Sequence, residues 1–291
     1  MFLGRKDTSR LLIPLLIATS LGSANAQVAT AHRTAGILLG VQAWTFNHFT
    51  VMEAVEKAAL TGATNIELFP GQDLGKDFPG VKMGPDMGQA ATDGFRQQLA
   101  KYGVNVVAYG VTAIDKDESS ARKLFTWAKS LGIGILNTES TESIDTIDKM
   151  VKEFDMKVGF HNHPRTSDPN YKVWDPNYIL QLVKNHDRRI GSCADTGHWV
   201  RSGIKPVDAL RILQGRVVAS HLKDLNVFSP DGHDVPCGNG ISDVPGILEE
   251  LHRQGYQGSL SIEYEYHYDT SVPEVAQCLA FVRGYFAGRR L

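Results

Sequence analysis

Four segments of this chain run into side chains that can bind a metal or move a proton: V-G-F-H-N-H-P (158–164), C-A-D-T-G-H (193–198), A-S-H-L-K-D (219–224) and S-I-E-Y-E-Y (261–266). Each opens with apolar or small residues, as a strand buried on both faces does, and then turns abruptly to His, Asp or Glu. Imidazoles and carboxylates together suit a divalent cation such as Mn²⁺, Co²⁺, Zn²⁺ or Mg²⁺. The same groups serve as general acids and bases. Taken singly, each has an ordinary reading. Asp195 fits a helix cap, and His221 fits a core histidine bonded to backbone. Glu139 fits a carboxylate at a helix start, and Lys223 fits a surface ion pair.

Such groups act together only if the fold gathers them. From residue 37 onward, apolar runs alternate with amphipathic ones. The runs predict strands at 37–46, 65–70, 104–111, 133–139, 157–163, 189–195, 216–224 and 258–265. Helices are expected from Thr50, where Glu53 three positions on completes a capping box, and near 92–102, 118–131, 143–154, 176–185, 206–213, 244–254 and 271–286. The Gly- and Pro-rich stretch 71–88 is long enough to form a lid or rim. Eight strand–helix units make a single (β/α)8 barrel, whose C-terminal strand ends collect functional side chains. An open doubly wound sheet would need a glycine-rich phosphate turn after the first strand, and Q-A-W-T-F-N-H-F-T has none.

A-D-T-G-H-W, H-L-K-D and I-E-Y-E, in this order and near these spacings, resemble the xylose isomerase-like TIM barrel superfamily. That group holds sugar phosphate isomerase/epimerase-type proteins, including ketose 3-epimerases, hydroxypyruvate isomerases, inosose dehydratases and dehydroshikimate dehydratases. The resemblance covers roughly residues 37–286, and G-V-Q-A-W-T-F and E-L-F-P-G-Q resemble a subgroup that is often exported. It implies a divalent metal held by Glu, Asp, His and Glu at the ends of strands five to eight. Asp195, His221 and Glu263 match the last three positions. The first departs: His161-Asn162-His163 stands where the epimerases place a glutamate. Either His161 substitutes for it, or Glu139 reaches in from strand four. The absent carboxylate is also one of the two bases of the epimerase reaction.

On this reading Glu265, sharing a face with Glu263, is a neighbour or rim group. His198 and His163 are acid–base or substrate groups. Glu263 also counts among the catalytic candidates. Lys223 either holds a substrate oxyanion or forms an ion pair. Glu67 and Trp44 are substrate contacts, the Trp44 ring being as suited to stacking on a sugar as to the core. His48, His233 and Tyr109 are rim candidates; His32, His186 and His252 are expected on solvated surfaces. The first functional expectation is a metal-dependent sugar isomerase or epimerase working through an enediolate. A lyase or hydratase acting on a keto-sugar or 3-keto-glycoside by the same α-proton abstraction is the alternative. A third is a non-catalytic carbohydrate-binding barrel.

The 291 residues are 42% apolar and 21% charged with net charge −2, ordinary globular values that offer nucleic acid no basic surface. Phosphodiester cleavage, which needs such a surface, is disfavoured. Residues 1–26 read as a Sec-type signal peptide. Arg5, Lys6 and Arg10 precede a short apolar core at 11–21, and Ala24-Asn25-Ala26 forms an A-x-A site. The apolar core is too short to span a bilayer. The mature chain is therefore expected to start at Gln27, with a linker at 27–36 and the barrel at 37–291, in the periplasm or outside the cell and without a membrane anchor. The expected partner is a small carbohydrate, and homo-oligomerisation is compatible with the sequence. Cys193, Cys237 and Cys278 are too few for a disulfide framework, and Cys193 reads as a buried strand residue.

Overall fold

The computed structural model describes Met1 and residues 32–290; the signal-peptide reading and Gln27 lie outside the described residues. Eight parallel strands close into a barrel: β1 (Leu38–Gln42), β2 (Asn65–Leu68), β3 (Asn105–Tyr109), β4 (Ile135–Thr138), β5 (Lys157–His161), β6 (Ile190–Asp195), β7 (Val217–Leu222) and β10 (Ser259–Ile262). The ring closes where β1 pairs with β10. Outside it lie α1 (Val51–Leu60), α2 (Gln89–Tyr102), α3 (Glu118–Ser130), α4 (Ile144–Phe154), α5 (Pro176–Val183), α6 (Thr196–Arg201), α7 (Pro206–Ile212), α8 (Val244–Arg253) and α9 (Val272–Ala287). The capping box at Thr50 and Glu53 is present.

Side chains two apart on a strand share a face, and this orders the barrel interior in layers. Leu38, Val107, Ile135, Cys193 and Ala219 form a buried apolar cluster. One step along the same faces come Asn137, Asp195 and His221, all fully buried. The apolar layer thus supports a polar one at the C-terminal end. A second, larger core packs the outer strand faces against the helices.

Several expectations change. The strands are shorter than their apolar runs, so Trp44 falls in a 3-10 turn, Ala43–Phe46, and Glu263 and Glu265 lie just past β10. The six-residue α6 directly after Asp195 was not expected. The loop after β7 carries a small antiparallel pair, β8 (Asp224–Leu225) with β9 (Asp234–Val235). At the end of the expected linker, Arg33 Nη1 donates to the carbonyls of Gly36 and Gln257. Cys237 and Cys278, which the sequence reading left unpaired, form a disulfide, while Cys193 is buried and free.

Candidate active site at the barrel mouth

Asp195 ends β6 and is fixed from two sides. Asn162 clamps its backbone, Oδ1 accepting from Asp195 N at 2.9 Å and Nδ2 donating to Asp195 O at 3.0 Å. Its own Oδ1 caps α6 by accepting from His198 N at 2.7 Å. Oδ2 is left pointing inward, where four cationic or imidazole nitrogens converge on it. His161 Nε2 lies at 3.6 Å, His198 Nε2 at 3.7 Å, His221 Nδ1 at 3.8 Å and Lys223 Nζ at 2.9 Å. Lys223 also reaches Glu263 Oε2 at 2.6 Å and Glu265 Oε2 at 2.8 Å. Lys223 is therefore a buried ion-pair centre rather than a surface pair. Burial favours its neutral form, but Asp195, Glu263 and Glu265 outweigh that and hold the ammonium well above its ordinary pKa. Gly197 makes room for it: a Cβ there would lie 2.7 Å from Lys223 Cβ.

The hydrogen-bond partners separate the three buried histidines. His221 Nε2 lies 3.0 Å from Glu67 Oε1. A carboxylate only accepts, so Nε2 carries a proton, while Nδ1 faces Glu263 Oε2 (3.2 Å) and Asp195 Oδ2 (3.8 Å). Burial disfavours the charged ring, but Cys193, Glu67 and Glu263 outweigh it and hold His221 well above its ordinary pKa, so that Nδ1 becomes a ligand only on giving up its proton to a cation. A metal-binding imidazole is typically oriented by such a carboxylate. His198 is the reverse case. Its Nδ1 lies 3.1 Å from Arg201 Nη1 and its Nε2 3.4 Å from Lys223 Nζ, both of which can only donate; the shorter contact, at Nδ1, favours the tautomer with the proton on Nε2. Burial pushes His198 well below its ordinary pKa, leaving a neutral ring that presents N–H to the site. His161, fully buried, has no hydrogen-bond partner on either nitrogen.

Glu67 corrects the reading as a substrate contact. It is completely buried beneath the site, accepting from Asn137 Nδ2 at 2.6 Å and Ser261 Oγ at 2.8 Å besides His221. Glu139, the alternative to His161 for the missing ligand, lies with the two strand-five histidines, one ligand atom each of Glu139, His161 and His163 falling within 4.8 Å of the others. It stands against His163 Nδ1, accepts from Tyr171 Oη at 3.1 Å and lies 3.8 Å from His161 Nδ1. That leaves His163, half exposed, with a free Nε2. Tyr109 is core rather than rim, packed edge-on to Trp127. His32 and His186 are half-buried, whereas His252 is exposed as expected. His233 is half-buried and stacked on Tyr266, and His48 pairs with Asp269 at 3.0 Å.

The residues present fit a divalent ion. Four buried atoms, His161 Nδ1 and Nε2, Asp195 Oδ2 and His221 Nδ1, have no hydrogen-bond partner, an unusual state for buried polar groups. Asp195 Oδ2 touches Lys223 Nζ as an ion pair without hydrogen-bond alignment. One ligand atom each from His161, Asp195, His198 and Glu263 lies within 4.8 Å of the others. Asp195, Glu263 and His161 belong to that set, and His221, oriented by Glu67 through Nε2, would join them once its Nδ1 gives up its proton, leaving His198 beside the ion as a hydrogen-bond donor. Above them opens a cavity of about 290 Å³. His161, His163, His198, Glu263 and Glu265 lie on one part of its wall, and Gln42, Trp44, Phe69, Pro70, Gly110 and Val111 on the rest.

The model of the xylose isomerase-like TIM barrel family matches residues 55–284. An inosose dehydratase of Clostridium tetani is 27% identical over 147 residues, 43% of this chain and 45% of that protein. The chain spans less than half the length of the curated relatives it matches. Among solved structures, an uncharacterised protein of Parabacteroides distasonis is 30% identical, with TM-score 0.69 over 86% of this chain and 99% of that one. A D-tagatose 3-epimerase-like protein shares the fold at 16% identity, with TM-score 0.66 over 87% and 99% of the two chains.

Proposed function

The chain belongs to the xylose isomerase-like TIM barrel family, and from that premise we propose that it is a metal-dependent lyase acting on a carbohydrate that carries a carbonyl. The observation that carries this reading is the pairing of His163 and His198, whose rings lie 5.2 Å apart on the same part of the cavity wall. Glu139 takes the Nδ1 side of His163 and leaves Nε2 as a base. Arg201 takes the Nδ1 side of His198 and leaves Nε2–H as a hydrogen-bond donor to a departing oxygen. A base and a hydrogen-bond donor side by side suit removal of a proton and of a neighbouring oxygen from one face of a sugar ring. Epimerisation needs bases on both faces, and Gln42, Trp44, Phe69, Pro70, Gly110 and Val111 provide none. The inosose dehydratase likeness points the same way.

In this reading His163 Nε2 takes the proton α to the carbonyl, and the C–H electrons move toward the carbonyl oxygen. The Lys223 ammonium, buried behind the cavity wall among Asp195, Glu263 and Glu265, adds positive charge near the charge that develops there. The electrons then return to form a C=C bond as the C–O bond on the β carbon breaks. His198 Nε2–H holds the departing oxygen by a hydrogen bond, and the proton that His163 took passes to that oxygen, returning both rings to their starting state. A divalent cation held by Asp195, His221, Glu263 and His161 would polarise the carbonyl. Aldose–ketose isomerisation is the second reading, favoured by the same one-sided arrangement, because His163 could return its proton to the adjacent carbon.

The test is proton NMR in D₂O with free and 3-keto sugars and Mg²⁺ or Zn²⁺. The expected product shows a new alkene signal and one equivalent of water or alcohol released. Deuterium at an inverted carbon, with no alkene, would instead establish epimerisation and sink the lyase reading.

Export is part of the proposal, resting on the tripartite pattern of residues 1–26. Mass spectrometry of periplasmic protein should give a mature chain beginning at Gln27; an intact Met1 would refute it.

A further inference from the structure

The inner cavity does not end at Trp44. That ring is 40% exposed, unusual for so large an apolar group, yet its setting is fixed. Its backbone N–H donates to Gln42 Oε1 at 2.8 Å, and its ring packs edge-on to Phe69 with centroids 5.0 Å apart. Trp44 and Phe69 line the inner cavity and also a second one of about 500 Å³ on their other side. The second cavity mixes polar Asn47, His48, Glu53 and Asp73 with the aromatic ring of Phe49. His48 is drawn across toward the loop after β10 by its contact with Asp269.

The inner cavity, about 290 Å³, sits at the small end of the roughly 300–1,000 Å³ that ligand pockets span. It suits one sugar ring. The second cavity offers an aromatic face and several hydrogen-bonding groups, the combination that binds a ring with an apolar face and a polar edge. We propose that the substrate has two linked rings: the one bearing the carbonyl lies in the inner cavity and the second lies beyond Trp44, among Asn47, His48, Glu53 and Asp73. This rests on the carbohydrate reading above and narrows it from free sugars to glycosides or disaccharides.

The experiment measures dissociation constants by calorimetry on the metal-loaded protein. The probes are methyl 3-keto-glucoside and a two-ring set, the 3-keto forms of maltose, cellobiose and trehalose. At least one two-ring compound should bind roughly tenfold tighter than the one-ring compound, the scale a single aromatic face contributes. Trp44→Ala, which alters the wall of both cavities, should cost the two-ring compounds roughly tenfold more than the one-ring compound, and Trp44→Phe should keep most of the preference. Asn47→Ala, at a residue that lines only the outer cavity, should weaken two-ring binding while leaving one-ring binding within about twofold. Equal affinities on the unaltered protein, or an equal loss for both classes in Trp44→Ala, would overturn the proposal. Elimination observed without any preference for two rings would defeat the outer site alone. A two-ring preference without elimination would defeat the lyase reading alone.

Discussion

Asp195→Asn is expected to strip the site of its cation and abolish turnover together. The replacement keeps the shape and the Oδ1 acceptor that caps α6, so the fold should survive. What disappears is the charge on which His161, His198, His221 and Lys223 converge. Losing an outer-shell partner of a metal ligand typically costs 10–100-fold in affinity; losing the central ligand should exceed that. Purified Asp195→Asn protein should contain less than a tenth of the metal of the unaltered protein, as read by elemental analysis. Full metal occupancy in this variant would show that the carboxylate is not a ligand.

The second large effect is expected at Glu67, which touches no substrate. Glu67→Ala leaves the N–H groups of His221 and Asn137 and the hydroxyl of Ser261 without an acceptor in a buried layer. Breaking one member of a buried pair costs roughly 3–5 kcal/mol, so the melting transition should fall by several degrees or more. Metal affinity should drop by roughly 10–100-fold as His221 loses its orientation. Glu67→Gln is the control, because an amide oxygen can still accept from His221 and Asn137 while its N–H₂ donates to Ser261. It should recover most of the stability and less of the affinity. If Glu67→Ala melts like the unaltered protein, the buried network carries no weight.

The contrast between Asp195 and Glu67 shows how far the sequence could be read. Alternation of apolar strands with amphipathic helices gave the barrel to within a few residues at each strand, because strands buried on both faces leave long apolar runs. Asp195, His221 and Glu263 were visible because each interrupts such a run at its end. Glu67 also interrupts one, but two residues before the strand begins its turn, a placement that points to a layer below the mouth. Asn162 and Arg201 were missed because amide and guanidinium groups are common on loops and short helices; nothing in their spacing says that one clamps Asp195 and the other sets the tautomer of His198. The α6 helix was missed because six residues containing Gly197 carry too weak a periodic signal. Pairing of Cys237 with Cys278 depends on the β7 loop meeting α9, a contact that distance along the chain does not reveal.

The bond between Glu67 and His221 joins β2 to β7, strands that are not neighbours in the ring. Its two ends are 154 residues apart in sequence, so loop closure must come before the bond can form. A partly assembled barrel, with the two strands not yet brought face to face, has His221 free to turn either nitrogen inward. The proposed ligand cage is thus a late product of folding. A cation bound there would act as a seal on the finished ring: it would reward closure of the whole cylinder and give nothing to a half-built one.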